Sequence, residues 1–244
     1  AMGAVPRWAT LSLTLPSQNQ VWLEAFSRGF FGLAEQFNVA LIGGDTTRGP
    51  LSITVQVMGT VAEGQAVIRG GAREGDDIYV TGSLGDACLG LVSLRNKDLL
   101  SPHLAYLCQM RLERPEPRVP TGVGLAPFAS AMIDCSDGFL ADLGHLLADS
   151  SMGGVVKRRD LPLSEAVEGY ISASQDWEPV LSGGDDYELI FTAAPESRSA
   201  VAAVAEATDC NVTWIGTVTT HEGVLLLGDD DLPLAINTTG YQHF

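Results

Sequence analysis

The chain has 244 residues, of which 45% are hydrophobic and 18% charged, enough to bury a sizeable core in one large or two modest domains. Its net charge is −16 and its 14 Lys and Arg are scattered, so we expect no nucleic-acid partner, which would require clustered basic residues. No apolar run approaches the roughly 18 residues of a membrane span, and the first residues do not resemble a signal peptide.

The four cysteines are far apart, and none forms a CxxC pair. We interpret them as buried free thiols in a reducing cytoplasm, because metal-binding and redox cysteines usually show closer spacing. They are Cys88, Cys108, Cys135 and Cys210. The four histidines also lack the spacing of zinc ligands, so we expect no zinc site.

The first third of the chain alternates helix and strand patterns, which favours an α/β or α+β protein. Apolar residues recur every three or four positions in VWLEAFSRGFFGLAEQF and predict a helix whose stripe packs in the core; an aromatic box for a flavin or nucleobase is the alternative. The stripe is Trp22, Phe26, Phe30, Leu33 and Phe37. VALIGG then predicts a buried strand ending in glycines, and LSITVQVMGTV a half-exposed strand.

The polar, glycine-rich segment RGGAREGDD marks the predicted domain boundary. DIYVTGSLGDACLGLVSL predicts strand, turn and helix, and SAMIDCSDGFLADLGHLLADS predicts strand, acidic turn and helix. The apolar face of the latter helix is Phe139, Leu143, Leu146 and Leu147. Three prolines in MRLERPEPRVPTG separate two helices. The last third predicts a strand at YELIFTA, an alanine-rich helix after Pro195, and strands near NVTWIGTV and GVLLL.

The triplet Gly-Gly-Asp occurs twice, and its first copy is Gly43-Gly44-Asp45, directly after the apolar run VALI. The two glycines let a backbone approach phosphate oxygens closely, and Asp45 offers Mg²⁺ a hard oxygen ligand. The alternative is a plain turn in which the aspartate caps local N–H groups. The residues by themselves leave both interpretations open.

The second candidate is the acidic turn Asp134-Cys135-Ser136-Asp137-Gly138. In an extended backbone Asp134 and Ser136 share a side, and Asp137 lies where the next helix begins. Two carboxylates and a hydroxyl on one turn suit an octahedral oxygen site for a metal ion. The alternative is that Ser136 or Asp137 caps the helix, and the two roles are compatible.

The second copy of the triplet, Gly183-Gly184-Asp185, is followed by a further acid, Asp186, and leads into the apolar run LIF. Adjacent carboxylates repel each other, which is tolerable when they bind a cation or are solvated in a loop. TGSLGD, at residues 81–86, opens a helix and offers N–H groups to phosphate, although close packing through small residues explains it better. It matches neither a P-loop nor a dinucleotide motif.

Three acidic glycine turns at the ends of apolar strands are less expected by chance than any one of them. The sequence shows no Ser-His-Asp arrangement, no cysteine nucleophile in a recognisable context and no zinc pattern. The residues alone therefore predict a Mg²⁺-dependent enzyme or a binder of phosphorylated ligands.

Six segments match the thiamine-monophosphate kinase family in order and spacing: AMGAVPRW, LIGGDTTRGP, YVTGSLGDACLGL, MIDCSDGFLADLGHLL, SGGDDYELIFT and the terminal GYQHF. The chain resembles this family over essentially its whole length. The family belongs to the PurM-like superfamily, with aminoimidazole ribonucleotide synthetase, selenophosphate synthetase and a hydrogenase-maturation protein. The resemblance implies an α/β (α+β) PurM-like two-domain fold, with mixed sheets flanked by helices.

The resemblance also implies an activity. ATP phosphorylates thiamine monophosphate to thiamine diphosphate, the last step of thiamine diphosphate biosynthesis, by direct in-line transfer with several Mg²⁺ ions. No strong protein base is required, because the acceptor is already an anionic phosphate oxygen. Two alternatives stay open: another ATP-dependent enzyme of the superfamily, such as aminoimidazole ribonucleotide synthetase, or a non-catalytic nucleotide-binding fragment.

Matching the family's motifs assigns roles to individual residues. Gly44, Asp45, Arg69 and Ser136 are implied to contact the nucleotide. Asp45, Asp134 and Asp137 are implied to bind Mg²⁺ and so to form the catalytic set. The alternative for Arg69 is an ordinary exposed charge before the domain boundary.

Two residues are implied to contact thiamine monophosphate. Asp185 stands where the family usually has Glu, and because its side chain is a methylene shorter, its contact requires a water or a small loop shift. Tyr241, in the terminal GYQHF, matches an aromatic residue that packs on the substrate, which suits a cationic thiazolium ring. Simple packing against the domain is the alternative for Tyr241.

The resemblance assigns residues 1–70 to a remnant of the ATP-binding, dimer-forming N-terminal domain, and residues 71–244 to the C-terminal PurM-like domain. Family members begin roughly 75–80 residues earlier, with a segment that supplies further Mg²⁺ ligands and the strands that join two subunits. We therefore expect this chain, as given, to have a truncated N-terminal domain and to lack part of its catalytic site. The family pattern predicts a cytoplasmic homodimer.

Overall fold

The computed structural model describes residues 1–235 and Gly240. The chain forms two compact units: an N-terminal unit, Ala4–Gly64, and a C-terminal unit, which comprises Ala1–Gly3 and Gln65–Phe244. Within the described part, no helix has the length and apolar character needed to cross a membrane. The functional assignment of residues 1–70 and 71–244 stays a prediction.

The N-terminal unit is a three-stranded sheet with one helix. Its elements are β1 (Val5–Leu15), α1 (Gln20–Gln36), β2 (Ala40–Arg48) and β3 (Ser52–Thr60). The strand order is β2-β1-β3, with β1 parallel to β2 and antiparallel to β3. Helix α1 makes the crossover that two parallel neighbouring strands require.

Little of the N-terminal unit is buried. Its buried apolar residues are Ala9 and Leu13 on the central strand, whereas every residue of β2 is exposed, so the predicted burial of that strand is wrong. Helix α1 is confirmed, but none of its residues is buried, so the predicted packing of its apolar stripe in the core is wrong. The aromatic rings of the stripe stack on one another instead, and the ring centroids of Trp22 and Phe26 are 5.2 Å apart. The physical reason is that one helix cannot cover both faces of a three-stranded sheet.

The C-terminal unit contains six strands and seven helices within its described residues. Its strands are β4 (Asp77–Thr81), β5 (Ala129–Asp134), β6 (Gly153–Lys157), β7 (Leu189–Ala193), β8 (Val212–Thr219) and β9 (Gly223–Leu227). Its helices are α2 (Asp86–Arg95), α3 (Pro102–Glu113), α4 (Val119–Leu125), α5 (Phe139–Asp149), α6 (Glu165–Ser174), α7 (Glu178–Leu181) and α8 (Arg198–Ala207). These elements confirm the helices and strands predicted in this part of the chain. The sequence patterns did not predict β1, β6, α6 or α7.

The six strands form one mixed sheet in the order β5-β7-β4-β8-β6-β9, antiparallel except for the parallel pair β6–β9. A larger core lies on one face, where the predicted apolar face of α5 is buried in full, and a smaller core lies on the other. All four cysteines are free thiols and three of them are buried, whereas Cys88 is half-buried.

The sheet brings distant segments to one edge. Strands β4 and β5 both run antiparallel to β7, which lies between them, so they end at the edge where β7 begins. In the register, Asp134 at the end of β5 pairs with Leu189, and Val80 near the end of β4 pairs with Ile190. The acidic turn, the second Gly-Gly-Asp segment and the TGSLGD turn therefore meet at this edge.

Candidate active site

The acidic turn between β5 and α5 is shaped by a carboxylate that sequence reasoning missed. Asp142, in the first turn of α5, is buried, and one of its oxygens accepts the backbone N–H groups of Ser136 (2.8 Å), Asp137 (2.9 Å) and Gly138 (3.2 Å). Burial raises the pKa of Asp142 above its ordinary value, and the three N–H groups oppose that shift. The available signal was an acid in the first turn of a predicted helix.

The acidic turn lies at the surface of the unit. Asp134, Ser136 and Asp137 are half-buried, whereas Cys135 between them is fully buried. Gly138 has a φ of 129°, and a Cβ there would lie 2.7 Å from the carbonyl oxygen of Ser182, so glycine lets the two loops approach. The turn thus presents two carboxylates and a hydroxyl from one rigid segment.

The second Gly-Gly-Asp segment is hydrogen-bonded to this turn along its backbone. Asp185 donates its N–H to the carbonyl of Ser136 (2.9 Å), and Tyr187 donates to that of Cys135 (2.8 Å). Cys135 in turn donates to the carbonyl of Glu188 (2.7 Å). The C-terminal unit therefore places Asp185 beside the turn that holds Asp134, Ser136 and Asp137.

Side chains of this loop alternate between surface and interior. Asp185 and Tyr187 are exposed, and the Tyr187 hydroxyl donates to a carboxylate oxygen of Asp185 (3.2 Å). The pKa of Tyr187 is raised by partial burial and by Asp185, with smaller contributions from Asp134 and Asp137. Tyr187 is therefore a neutral hydroxyl within the field of all three acids.

Asp186 points inward and caps a helix. Its carboxylate accepts the N–H groups of Gly85 (2.8 Å) and Ala87 (3.3 Å) at the start of α2. Burial raises its pKa to about 7, although these two N–H groups act in the opposite direction. A protein carboxylate thus takes the place that the TGSLGD turn offered to a phosphate.

Glu188 also points inward, into a buried ion cluster. Its carboxylate accepts hydrogen bonds from Thr81 (2.7 Å) and from two nitrogens of Arg118 (2.8 and 2.7 Å), and it forms an ion pair with Arg111. Burial by itself raises the pKa of Glu188, but the hydrogen bonds from Arg118 and Thr81 outweigh it and hold the pKa below its ordinary value. Sequence reasoning missed this cluster because its members lie far apart along the chain.

A cavity of about 780 Å³ opens beside this cluster. Arg111 and Arg118 line it, together with Asp86 and apolar residues of α3 such as Leu107. Asp86 accepts a hydrogen bond from the Ser83 hydroxyl (2.5 Å), and both arginines are paired with Glu188. Both arginines of the cavity wall are thus paired with a buried acid, Glu188, and the carboxylate of Asp86 is bound by a neighbouring hydroxyl.

The prediction that the first Gly-Gly-Asp segment is a turn is wrong, because this segment is part of strand β2. Gly44 pairs with Leu11 and Asp45 with Ser12 of β1, and a Cβ on Gly44 would lie 1.8 Å from the Leu11 carbonyl oxygen. Asp45 is exposed and accepts the N–H of Thr46 (2.8 Å). The close approach of two strands requires the glycine, and the strand continues because its N–H and C=O groups find partners on β1.

Arg69 is not brought to the acidic turn. The carbonyl of Arg69 accepts a hydrogen bond from Ser150 at the C-terminal end of α5, whereas the acidic turn precedes that helix, which is about 16 Å long. Tyr241 lies outside the described residues. Its neighbour Gly240 is described, and a Cβ there would lie 2.9 Å from the carbonyl oxygen of Asp137.

The turn's donors fit Mg²⁺ in kind. Asp134, Asp137 and the Ser136 hydroxyl offer hard oxygen atoms, and proteins commonly hold Mg²⁺ through one or two carboxylates together with substrate phosphates. Among residues 1–235 and Gly240, no group of three or more His, Cys, Asp or Glu is arranged to hold a metal ion. The described residues thus fit an ion shared with phosphate, and not one enclosed by protein ligands alone.

Two family models match the chain. The model of the AIR synthase related protein N-terminal domain matches residues 1–61, and the model of its C-terminal domain matches residues 73–227. The thiamine-monophosphate kinase of Salmonella typhimurium is 43% identical over 246 residues, an alignment that covers 100% of this chain and 75% of that protein. The chain thus spans about three quarters of the length of this relative.

Solved structures agree with these matches. The crystal structure of thiamine-monophosphate kinase from Stenotrophomonas maltophilia K279a is 46% identical, with a TM-score of 0.87, and covers 93% of this chain and 73% of its own. A structure described as AaThiL complexed with AMPPCP and TMP is 31% identical, with a TM-score of 0.83 and coverage of 100% and 75%.

Proposed function

This chain belongs to the thiamine-monophosphate kinase family, and we propose that it catalyses transfer of the ATP γ-phosphoryl group to thiamine monophosphate, giving thiamine diphosphate and ADP. The kinase assignment follows from relatives similar over the whole chain, and the solved complex with AMPPCP and TMP supports simultaneous binding of nucleotide and substrate. The observation that carries the proposal in this molecule is the hydrogen-bonded pairing of the acidic turn with the loop of Asp185.

The acidic turn serves the nucleotide. Asp134 and Asp137 would hold Mg²⁺, which when bound neutralises the phosphate charges and helps to align the groups for in-line transfer. Ser136 contacts the nucleotide phosphates. Gly44 and Asp45 take the same kind of role from the N-terminal unit, and Arg69 of the C-terminal unit contacts the nucleotide.

The loop of Asp185 serves the acceptor. The carboxylate of Asp185 complements the cationic thiazolium ring of thiamine monophosphate, and its exposed position beside the acidic turn supports this role. Tyr241 packs on the same ring. The acceptor is already an anionic oxygen, so the protein's task is to position two phosphate groups and not to remove a proton.

The state of the cysteines near the acidic turn disfavours a covalent intermediate on either of them. Cys135, in the middle of the acidic turn, is fully buried, and burial raises its pKa well above the ordinary value. Burial also raises the pKa of the half-buried Cys88 to about 11. Both remain neutral thiols at neutral pH and are poor nucleophiles.

A turnover assay tests the proposal. With ATP and Mg²⁺, thiamine monophosphate should yield equal amounts of ADP and thiamine diphosphate, and omission of the acceptor should abolish ADP formation. ADP formation that depends instead on formylglycinamidine ribonucleotide would favour the aminoimidazole ribonucleotide synthetase alternative. Binding of ADP with Mg²⁺ in calorimetry, without turnover, would favour a nucleotide-binding module.

The predicted need for further N-terminal Mg²⁺ ligands is tested by comparing the 244-residue chain with one that carries the family's preceding segment.

We also propose a cytoplasmic homodimer. Support comes from the free state of all four cysteines, which suits a reducing compartment, and from the apolar residues exposed on β3, where Val57 is 59% exposed. Sedimentation analysis of the purified protein should give twice the chain mass.

A further inference from the structure

The loop between α7 and β7 holds two residues in an unusual backbone conformation. Asp185 has a φ of 68° and Tyr187 a φ of 51°, both in the left-handed region that favours glycine. This conformation is unfavourable for residues other than glycine and persists only where the surroundings enforce it. A bulky tyrosine in this region therefore requires anchors nearby in the chain.

Two buried carboxylates, Glu188 and Asp186, anchor this loop, and Glu188 is the more strongly held of the two. Its side chain is 1% exposed, and Arg118 grips its two carboxylate oxygens with two nitrogens, the geometry that fixes orientation most firmly. Thr81 binds the same carboxylate from the end of β4, and its hydroxyl also accepts the N–H of Leu189 (2.8 Å). Thr81 therefore holds both Glu188, the last residue of the loop, and Leu189, the first residue of β7.

Asp186 is the second anchor, on the side of α2. With Asp186 and Glu188 fixed inward, the alternation along the chain directs Asp185 and Tyr187 outward, next to the acidic turn. The hydrogen bond from the Tyr187 hydroxyl then holds the Asp185 carboxylate in place. Four consecutive residues thus act as two anchors and two presented groups.

A buried ion cluster is a poor device for stability alone. Removing charges from water offsets most of the attraction between them, and apolar residues of similar volume often stabilise a fold as well or better. A bidentate pair does, however, specify one geometry, which apolar contacts do not. We propose that Glu188, held by Arg118, is a positioning residue that fixes the loop conformation in which Asp185 and Tyr187 meet thiamine monophosphate. This inference rests on the proposed function.

The chain supplies a matched control for this ion pair. Arg198 grips Asp77 with two nitrogens (2.6 and 2.8 Å), and Asp77 is the first residue of β4, the strand whose last residue binds Glu188. Arg118→Lys and Arg198→Lys therefore each replace one bidentate guanidinium, near opposite ends of β4. A purely structural role predicts unchanged substrate KM values in both folded variants.

The expected result separates substrate affinity from stability. Arg118→Lys should lower the thermal midpoint more than Arg198→Lys, because the side chain of Arg118 is 14% exposed and that of Arg198 is 51% exposed. Arg118→Lys should also raise the KM for thiamine monophosphate by about tenfold or more, because a small misplacement of binding groups is costly. The KM for ATP should change by less than about twofold. Arg198→Lys should leave both KM values unchanged.

Equal KM values for thiamine monophosphate in the two variants would overturn the positioning role, and so would a loss confined to kcat. If Arg118→Lys does not fold, Arg111→Lys removes a single contact to Glu188 and should shift the same KM by a smaller factor. Absence of thiamine diphosphate formation by the chain that carries the family's preceding segment would refute the proposed function, whereas an unchanged KM in an active Arg118→Lys variant of that chain refutes only the positioning role.

Discussion

The triplet Gly-Gly-Asp lies inside strand β2 in the N-terminal unit and in the loop before β7 in the C-terminal unit. In β2 the whole strand is exposed and Asp45 bonds only to its neighbour's N–H among the contacts described. In the loop, Asp185 is followed by two buried carboxylates, Asp186 and Glu188, and its N–H is hydrogen-bonded to the acidic turn. The difference shows that three shared letters do not specify a conformation; the partners available to the backbone do.

Both copies nevertheless need glycine for the same physical reason. A Cβ on Gly44 would lie 1.8 Å from the Leu11 carbonyl oxygen, and a Cβ on Gly184 would lie 2.4 Å from the Ser136 carbonyl oxygen. In each copy the second glycine lets two backbones approach within a distance that a side chain forbids. The shared feature is therefore close approach, and the aspartate that follows is positioned by it.

The largest expected effect comes from removing a carboxylate of the first copy, or one of the acidic turn to which the second copy is hydrogen-bonded. In the chain that carries the family's preceding segment, Asp45→Asn and Asp134→Asn should each lower kcat by about a thousandfold or more, because Mg²⁺ loses a charged ligand. Steady-state kinetics measures the loss, and an unchanged circular dichroism spectrum shows an intact fold. Activity within about tenfold of the unmodified protein in either variant would remove the metal role assigned to that residue.

A smaller effect, on stability, is expected when a glycine of the first copy is replaced by alanine, and the two glycines should differ. Gly44→Ala should destabilise the protein by about 3 kcal/mol, since Gly44 has a φ of 147° and its Cβ would collide with β1. Gly43→Ala is the control, because no atom lies within 4 Å of its Cβ, and it should change stability by less than about 0.5 kcal/mol. Urea denaturation of the two variants measures both. Equal midpoints would contradict the close approach of β1 and β2.

The smallest expected effect at neutral pH concerns the acid beside the second copy. The pKa of Asp186 is raised to about 7 in the folded protein, so its contribution to stability is complete below about pH 4 and is lost as the pH rises through 7. Asp186→Asn should therefore be less sensitive to pH in this range. Thermal midpoints of both proteins between pH 4 and 8 test this, and parallel curves would contradict the raised pKa.

Local patterns were sufficient for most elements of the C-terminal unit. The strand, turn and helix around Asp134 and the buried face of α5 follow from alternation, glycine and 3.6-residue periodicity, which are properties of short segments. The same patterns failed for burial in the N-terminal unit. An apolar run such as VALI indicates that a strand can be covered, not that the molecule covers it.

The anchors of the candidate site were beyond sequence reasoning. Glu188 and Arg118 are 70 residues apart, and Asp186 lies 101 residues from Gly85, so no local window contains both members of either pair. Asp142 is nearer to the turn that it holds, but its three hydrogen bonds depend on the exact path of the backbone. Adjacent acids in the sequence gave no sign that one faces solvent and the next faces a helix.

The sequence by itself determined the family, and it predicted that the acidic turn and the two Gly-Gly-Asp segments carry the chemistry. Only the tertiary structure decided that one triplet is strand and the other loop, and which acids of that loop are anchors. The physical reason is that ligand chemistry depends on residue type, whereas burial and charge pairing depend on partners that the sheet brings together from distant parts of the chain.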